Sequence, residues 1–160
     1  MNETMNQINA WLSELGAESG ATLTLDEHGC CPLVDADETE MEVHVVPTSD
    51  CFFLNAKILA LPHTNREQVF YQALTLNLFQ QETRGASVAI DPNDESLMLC
   101  FSKAVSETDA TMFQNIVSNL FQTASHMRRE LKVEEVSDPS PSAGDAPWEN
   151  HQLVNFMNFA

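Results

Sequence analysis

The side chains that could do chemistry gather in two short stretches. "DEHGCC" puts His28 two residues before the adjacent Cys30 and Cys31, and "DADETEMEVH" supplies Asp35, Asp37, Glu38, Glu40, Glu42 and His44. An imidazole near two thiols suggests zinc, but side chains of adjacent residues in a strand diverge, which makes neighbouring cysteines poor chelators of one ion. General acid–base work needs two placed carboxylates, whereas a dense acidic run reads as a solvated strand connection. His44 projects with Glu40 and Glu42 from the same acidic strand face. The chain has no P-loop, no GxGxxG and no GxSxG. "DPNDES" lacks the central Gly and the terminal Glu of an EF-hand loop. The expectation is therefore no enzyme, no cofactor and no metal site.

The bulk composition narrows the partners. The 160 residues fit one domain with a real core, and 43% of them are hydrophobic. The formal net charge is −17, from 24 acidic and 7 basic side chains. Such a charge repels phosphate backbones and anionic membranes and attracts basic partners, so nucleic acid is excluded as a partner. Thirteen of the acids lie in residues 1–82, whose only Lys and Arg are Lys57 and Arg66. No apolar run approaches bilayer length, and the N-terminus has neither the basic region nor the apolar region of a secretory signal, so no membrane insertion is expected. Cys30, Cys31, Cys51 and Cys100 do not make a disulfide framework; they read as reduced, partly buried thiols in a cytoplasm.

The elements that must position these residues follow from periodicity. Met5, Ile8, Leu12 and Leu15 have helical spacing, Trp11 lies beside them, and Gly16 reads as the stop. Residues 21–61 read as four strands. The first two form a hairpin that turns near His28-Gly29, "EMEVHVV" alternates, and "CFFLNAKILAL" is longer. A second helix opens at Thr64, with Glu67 in a capping box, and runs to about Glu82 before Gly85. "ASVAI" and "SLMLCFS" flank a "DPNDE" turn as a hairpin. The third helix starts near Ser106 and carries Phe113, Ile116, Val117, Leu120, Phe121, Ala124, Met127 and Leu131 as a broad stripe. The fold expected is an α+β sandwich in the order α-β-β-β-β-α-β-β-α. Residues 1–132 make the domain. Residues 133–160 read as an acidic flexible tail that ends in an apolar segment.

The second helix is apolar on almost every side. At about 100° per residue, Val69, Ala73 and Leu76 share one side, Phe70 and Leu74 flank it, and Tyr71 and Leu78 lie opposite. A helix with no solvent face must be covered twice. In a domain this small the simplest second cover is a copy of the same helix across a two-fold axis, and the alternative is the chain's own third helix.

"LTLNLFQQETRGASVAIDPNDESLMLCF" resembles the signature of the Tir-chaperone family, the class I chaperones of type III secretion. Asn77, Leu78, Gly85, Ala86, Asp91, Pro92 and Leu97 match its pattern, and Arg84 departs from it, since a second small residue is common there. The specific match spans residues 70–101; element order, size and charge extend the likeness to residues 3–132. The resemblance implies a bacterial cytoplasmic homodimer that binds the unfolded N-terminal region of secreted effectors without hydrolysing ATP. It also implies contacts with the export ATPase or the export gate. The second helix and the strand after it would build the dimer through Phe70, Tyr71, Leu74, Leu78, Val88 and Ile90. Trp11, Leu12, Leu15, Leu23, Leu25, Leu33 and Val34 would line the effector groove, the alternative for each being ordinary core. A different reading of the same charge and size is an acidic dimeric inhibitor of a folded basic partner.

Overall fold

A computed structural model describes residues 3–78 and 83–131. The chain forms α1 (Glu3–Ser19), β1 (Cys30–Val34), β2 (Glu40–Val45), β3 (Cys51–Ala60), α2 (Arg66–Leu78), β4 (Ser87–Asp91), β5 (Ser96–Ala104), a 3₁₀ turn (Val105–Glu107) and α3 (Ala110–Glu130). The five strands pair antiparallel in the order β1-β2-β3-β5-β4. The expected α+β class is thus the observed one, with one strand fewer than expected before α2. Residues 133–160, expected as a tail, lie outside the described residues.

Alternation along the strands builds the core. Leu33, Val43, Val45, Phe52, Leu54, Ile58 and Leu99 are all buried on the face that meets the helices. α3 lies on β3 and against α1. Its expected stripe holds: Phe113, Val117, Leu120, Phe121, Ala124, Met127 and Leu131 are buried, and Ile116 packs on their flank. The helix starts later than Ser106, because the 3₁₀ turn intervenes; Asp109 then caps it by accepting from the Met112 N–H at 2.7 Å. Near its other end, Arg128 donates to the carbonyls of Ile58 (2.6 Å) and Lys57 (3.0 Å). Those carbonyls lie at the register shift between Lys57 and Leu59 in β3, where the strand ladder is disrupted and leaves groups for another donor.

Three further boundaries differ from the sequence expectation. α1 passes through Gly16 to Ser19 and turns at Gly20, whose φ is +72°. Gly16 is there for space: a Cβ on it would stand 2.4 Å from the Ala21 carbonyl oxygen, where the chain folds back on the helix. Residues 21–26 do not form the first arm of a hairpin. Asn9 of α1 takes two of their hydrogen bonds, its Oδ1 accepting from the Leu25 N–H at 2.8 Å and from the Thr24 hydroxyl at 3.2 Å, while the Asp26 N–H donates to the Cys30 carbonyl at 2.8 Å. α2 begins at Arg66 rather than Thr64, after Asn65 with a left-handed backbone (φ +59°).

Candidate functional site

α2 has two different sides. Val69 and Ala73 are buried, and Phe70 and Leu76 pack against the core. Tyr71, Leu74 and Leu78 are 75%, 68% and 76% exposed, spaced three and four residues apart along one stripe. The chain's own third helix does not cover them. The patch continues on β4, where Ile90 shares the parity of buried Val88 yet is 47% exposed. Of the six residues expected at a dimer interface, Tyr71, Leu74, Leu78 and Ile90 are therefore exposed, Phe70 is half-buried, and Val88 is buried within the protomer.

Asn77 explains how α2 is held there. Its Oδ1 accepts from the Val88 N–H at 2.6 Å and its amide donates to the Val88 carbonyl at 3.0 Å. The side chain thus imitates a neighbouring strand on the outer edge of β4 and satisfies groups an edge leaves open. Arg84, the departure from the family pattern, adopts a left-handed backbone (φ +52°) and donates to Asn119 of α3 at 2.6 Å. Asn77→Leu keeps the volume and removes both bonds to Val88. Its expected cost is about 2 kcal/mol, mostly from the stranded backbone groups. Urea denaturation measures it, and a loss of ~0.5 kcal/mol or less would show that water replaces the amide.

The second feature is the sheet face away from α1 and α3. Here the outward residues of β1, β2, β3, β5 and β4 line an open concavity of about 580 Å³, with Pro32, Val34, Ala89 and Met98 among its apolar walls and Glu40, Glu42, Asp91 and Asp94 among its acidic ones; Ile90 only borders it at the β4 edge, its parity being that of the opposite face. β1 is an edge strand, paired only to β2. The two bases of the N-terminal half are already engaged: Lys57 bridges to Asp94 at 2.8 Å and Arg66 to Glu95 at 2.9 Å. These contacts hold the Asp94 and Glu95 carboxyls below their ordinary values, through the Lys57 and Arg66 hydrogen bonds respectively.

Most of the groove residues expected from the sequence are elsewhere. Trp11, Leu12, Leu15, Leu23, Leu25 and Leu33 are all buried in the protomer core. Trp11 is only 4% exposed, its ring 5.5 Å from that of Phe113, which in turn meets Phe52 at 5.3 Å. Trp11 stands beside the stripe of α1 because α3 as well as the sheet packs on that helix. Val34 is half-buried and lines the concavity, and Leu33, though buried, also borders it. The sequence reading missed the outward wall of Pro32, Ala89, Met98 and Cys100. A signal was present, since "SLMLCFS" is apolar at both parities, the pattern of a strand covered on two faces.

All four cysteines are free. Burial and the neighbouring Glu42 and Asp26 carboxylates push the Cys30 thiol up to about 11, and burial pushes Cys31 up to about 11 as well. Neither is an activated nucleophile at neutral pH. The acidic run forms local turns, with Asp35 accepting from the Asp37 and Thr39 N–H groups. His28 does not join a cluster with Cys31. The structure brings His44 together with Cys30 and Glu42 instead.

Comparison with known proteins places this geometry. The sequence model of the Tir chaperone protein (CesT) family matches residues 10–128. No curated protein sequence matches the chain. A solved chain of the ExsC–ExsE complex superposes with a TM-score of 0.73 at 17% identity, covering 84% of this chain and 100% of that one. A chain of the HopA1–SchA chaperone–effector complex gives 0.66 at 13% identity, covering 81% and 98%. A chain of the ExoU–SpcU complex from the type III secretion system of Pseudomonas aeruginosa gives 0.59 at 16% identity, covering 76% and 95%. At these identities the likeness concerns the fold.

Proposed function

The chain belongs to the Tir chaperone protein (CesT) family, and from that premise we propose that it is a bacterial cytoplasmic chaperone of type III secretion, a homodimer that holds the N-terminal segment of a secreted effector unfolded and soluble until export. The family is one of chaperones rather than an enzyme class, and the proposed action is binding without catalysis. Among the described residues no helix is long and apolar enough to cross a membrane. Residues 1–132 are taken as the chaperone domain.

The observation that carries the effector reading is the outward face of the sheet. It is concave, apolar along Pro32, Val34, Ala89 and Met98, rimmed by carboxylates, and continuous with the edge strand β1. An extended segment can add its backbone to such an edge and set alternate apolar side chains into the concavity. Its Lys and Arg would meet Glu40, Glu42 and Asp91. The chain's net charge of −17 speeds that encounter. The solved neighbours include chains taken from chaperone–effector and type III secretion complexes, which supports the same reading. The exposed stripe Tyr71, Leu74 and Leu78 supports a dimer built on α2, separate from the concavity.

The test is co-expression with secreted proteins of the same host, followed by limited proteolysis. The expected result is one protected, extended N-terminal segment per dimer. Val34→Glu together with Met98→Glu, both at half-exposed positions, should weaken that complex at least about 10-fold with unchanged circular dichroism, since two apolar contacts are replaced by charge. Unchanged affinity in the double variant removes the concavity as the site. Protection of a compact folded domain instead of an extended segment would favour the acidic-inhibitor reading.

A further inference from the structure

We propose that Cys30, Glu42 and His44 form a three-donor site for a zinc-class divalent cation on the outward face of the β1–β2 hairpin. The sheet register creates it. Cys30 and His44 are direct cross-strand partners, and Glu42 lies two residues before His44, so all three project from one face. Their donor atoms lie within 4.8 Å of one another. Donors at about 2.0–2.3 Å from a tetrahedral ion stand roughly 3.5 Å apart, so side-chain torsions alone can close the set.

The backbone beneath these side chains is already fixed. Asp26 Oδ1 accepts from the N–H groups of His28 (2.8 Å) and Cys30 (2.9 Å), and the Val45 N–H donates to the Gly29 carbonyl at 2.9 Å. Gly29 takes a φ of +80°, and a Cβ on it would stand 2.5 Å from the Val45 carbonyl oxygen. The turn therefore holds Cys30 opposite His44 with little freedom to drift. The Phe53 ring, on the residue opposite His44 in β3, lies 6.3 Å from the imidazole.

The donor set names the ion. Thiolate, imidazole and carboxylate together suit zinc and its cobalt substitute, and they disfavour calcium and magnesium, which take oxygen donors. A divalent cation there would offset the negative charge that Glu42 and a bound thiolate bring together. Three protein donors leave one position for water or for a donor of a bound chain. The site shares Glu42 with the acidic rim of the concavity, but cation binding to the free protein needs only the β1–β2 hairpin.

Cobalt(II) chloride added to the reduced full-length protein tests it. The expected result is one cobalt per protomer with a thiolate-to-cobalt charge-transfer band, lost on adding zinc chloride. Cys30→Ser should abolish the band. His44→Gln should lower zinc affinity at least about 100-fold, beyond the about 10- to 100-fold typical of losing an outer-shell partner, while His28→Gln leaves it unchanged. Where Cys30→Ser fails to fold, alkylation of the wild type followed by peptide mass mapping decides: zinc should protect Cys30 more than Cys51 or Cys100. No band in the wild type, undiminished affinity in His44→Gln, or protection centred on Cys51 or Cys100 overturns the site.

Discussion

Leu74→Asp or Leu78→Asp is expected to convert the proposed dimer to a folded monomer. Both side chains are about two-thirds or more exposed in the protomer, so an aspartate at either position is solvated in the free chain and leaves its core intact. In a two-fold dimer the same carboxylate appears twice on the same surface, facing an apolar partner. Each copy loses about 2 kcal/mol of apolar burial and strands an unpaired charge, together weakening association by roughly 10⁴-fold or more. Light scattering at micromolar concentration should report a dimer for the wild type and a monomer for either variant, with the helical circular dichroism of both preserved. A wild-type monomer would sink the α2 interface. A variant that stays dimeric would move the interface elsewhere.

Trp11→Glu abolishes folding rather than trimming a binding surface. Trp11 is buried between α1 and α3, with Phe113 beside it and Phe52 beyond. Truncating a buried Trp costs about 3–5 kcal/mol, and a carboxylate in its place adds the penalty of an unpaired buried charge. The sum is comparable to the entire stability of a domain of this size, about 5–15 kcal/mol. Loss of the cooperative urea transition is the expected readout. Trp11→Phe should retain it, with a smaller loss. If Trp11→Glu keeps its transition and its dimer mass but no longer holds an effector segment, the ring is a groove wall after all, as its position beside the α1 stripe suggests from sequence.

Much of the fold was legible from side-chain periodicity. The α3 stripe from Phe113 to Leu131, the alternation of β2 and the Asp91–Glu95 turn each carry a local pattern that tertiary contacts reinforce. The exposed apolar side of α2 was legible too, because an all-round pattern means that something beyond one sheet must cover the helix. The boundaries were harder. Gly16 reads as a helix stop by propensity, but its role is to admit the Ala21 carbonyl, a contact made by chain beyond the turn. Residues 21–26 alternate like a strand, yet Asn9 claims the Leu25 N–H and the Thr24 hydroxyl from a helix more than ten residues away.

What the sequence by itself determined is the composition of surfaces: which helix has no solvent face, how strongly acidic the chain is, and which residues carry the family signature. It also carried the reason Asn77 matters without the partner that makes it matter, since Val88 lies eleven residues away. Only the tertiary structure decided which apolar residues are wall and which are core. Trp11 and Leu33 are apolar whether they face solvent or the core, and periodicity within one element cannot show that a second layer packs on both of its flanks. The same holds for Cys30, Glu42 and His44. Register between β1 and β2 places them together, and register is a property of two strands and their turn, absent from the spacing within either one.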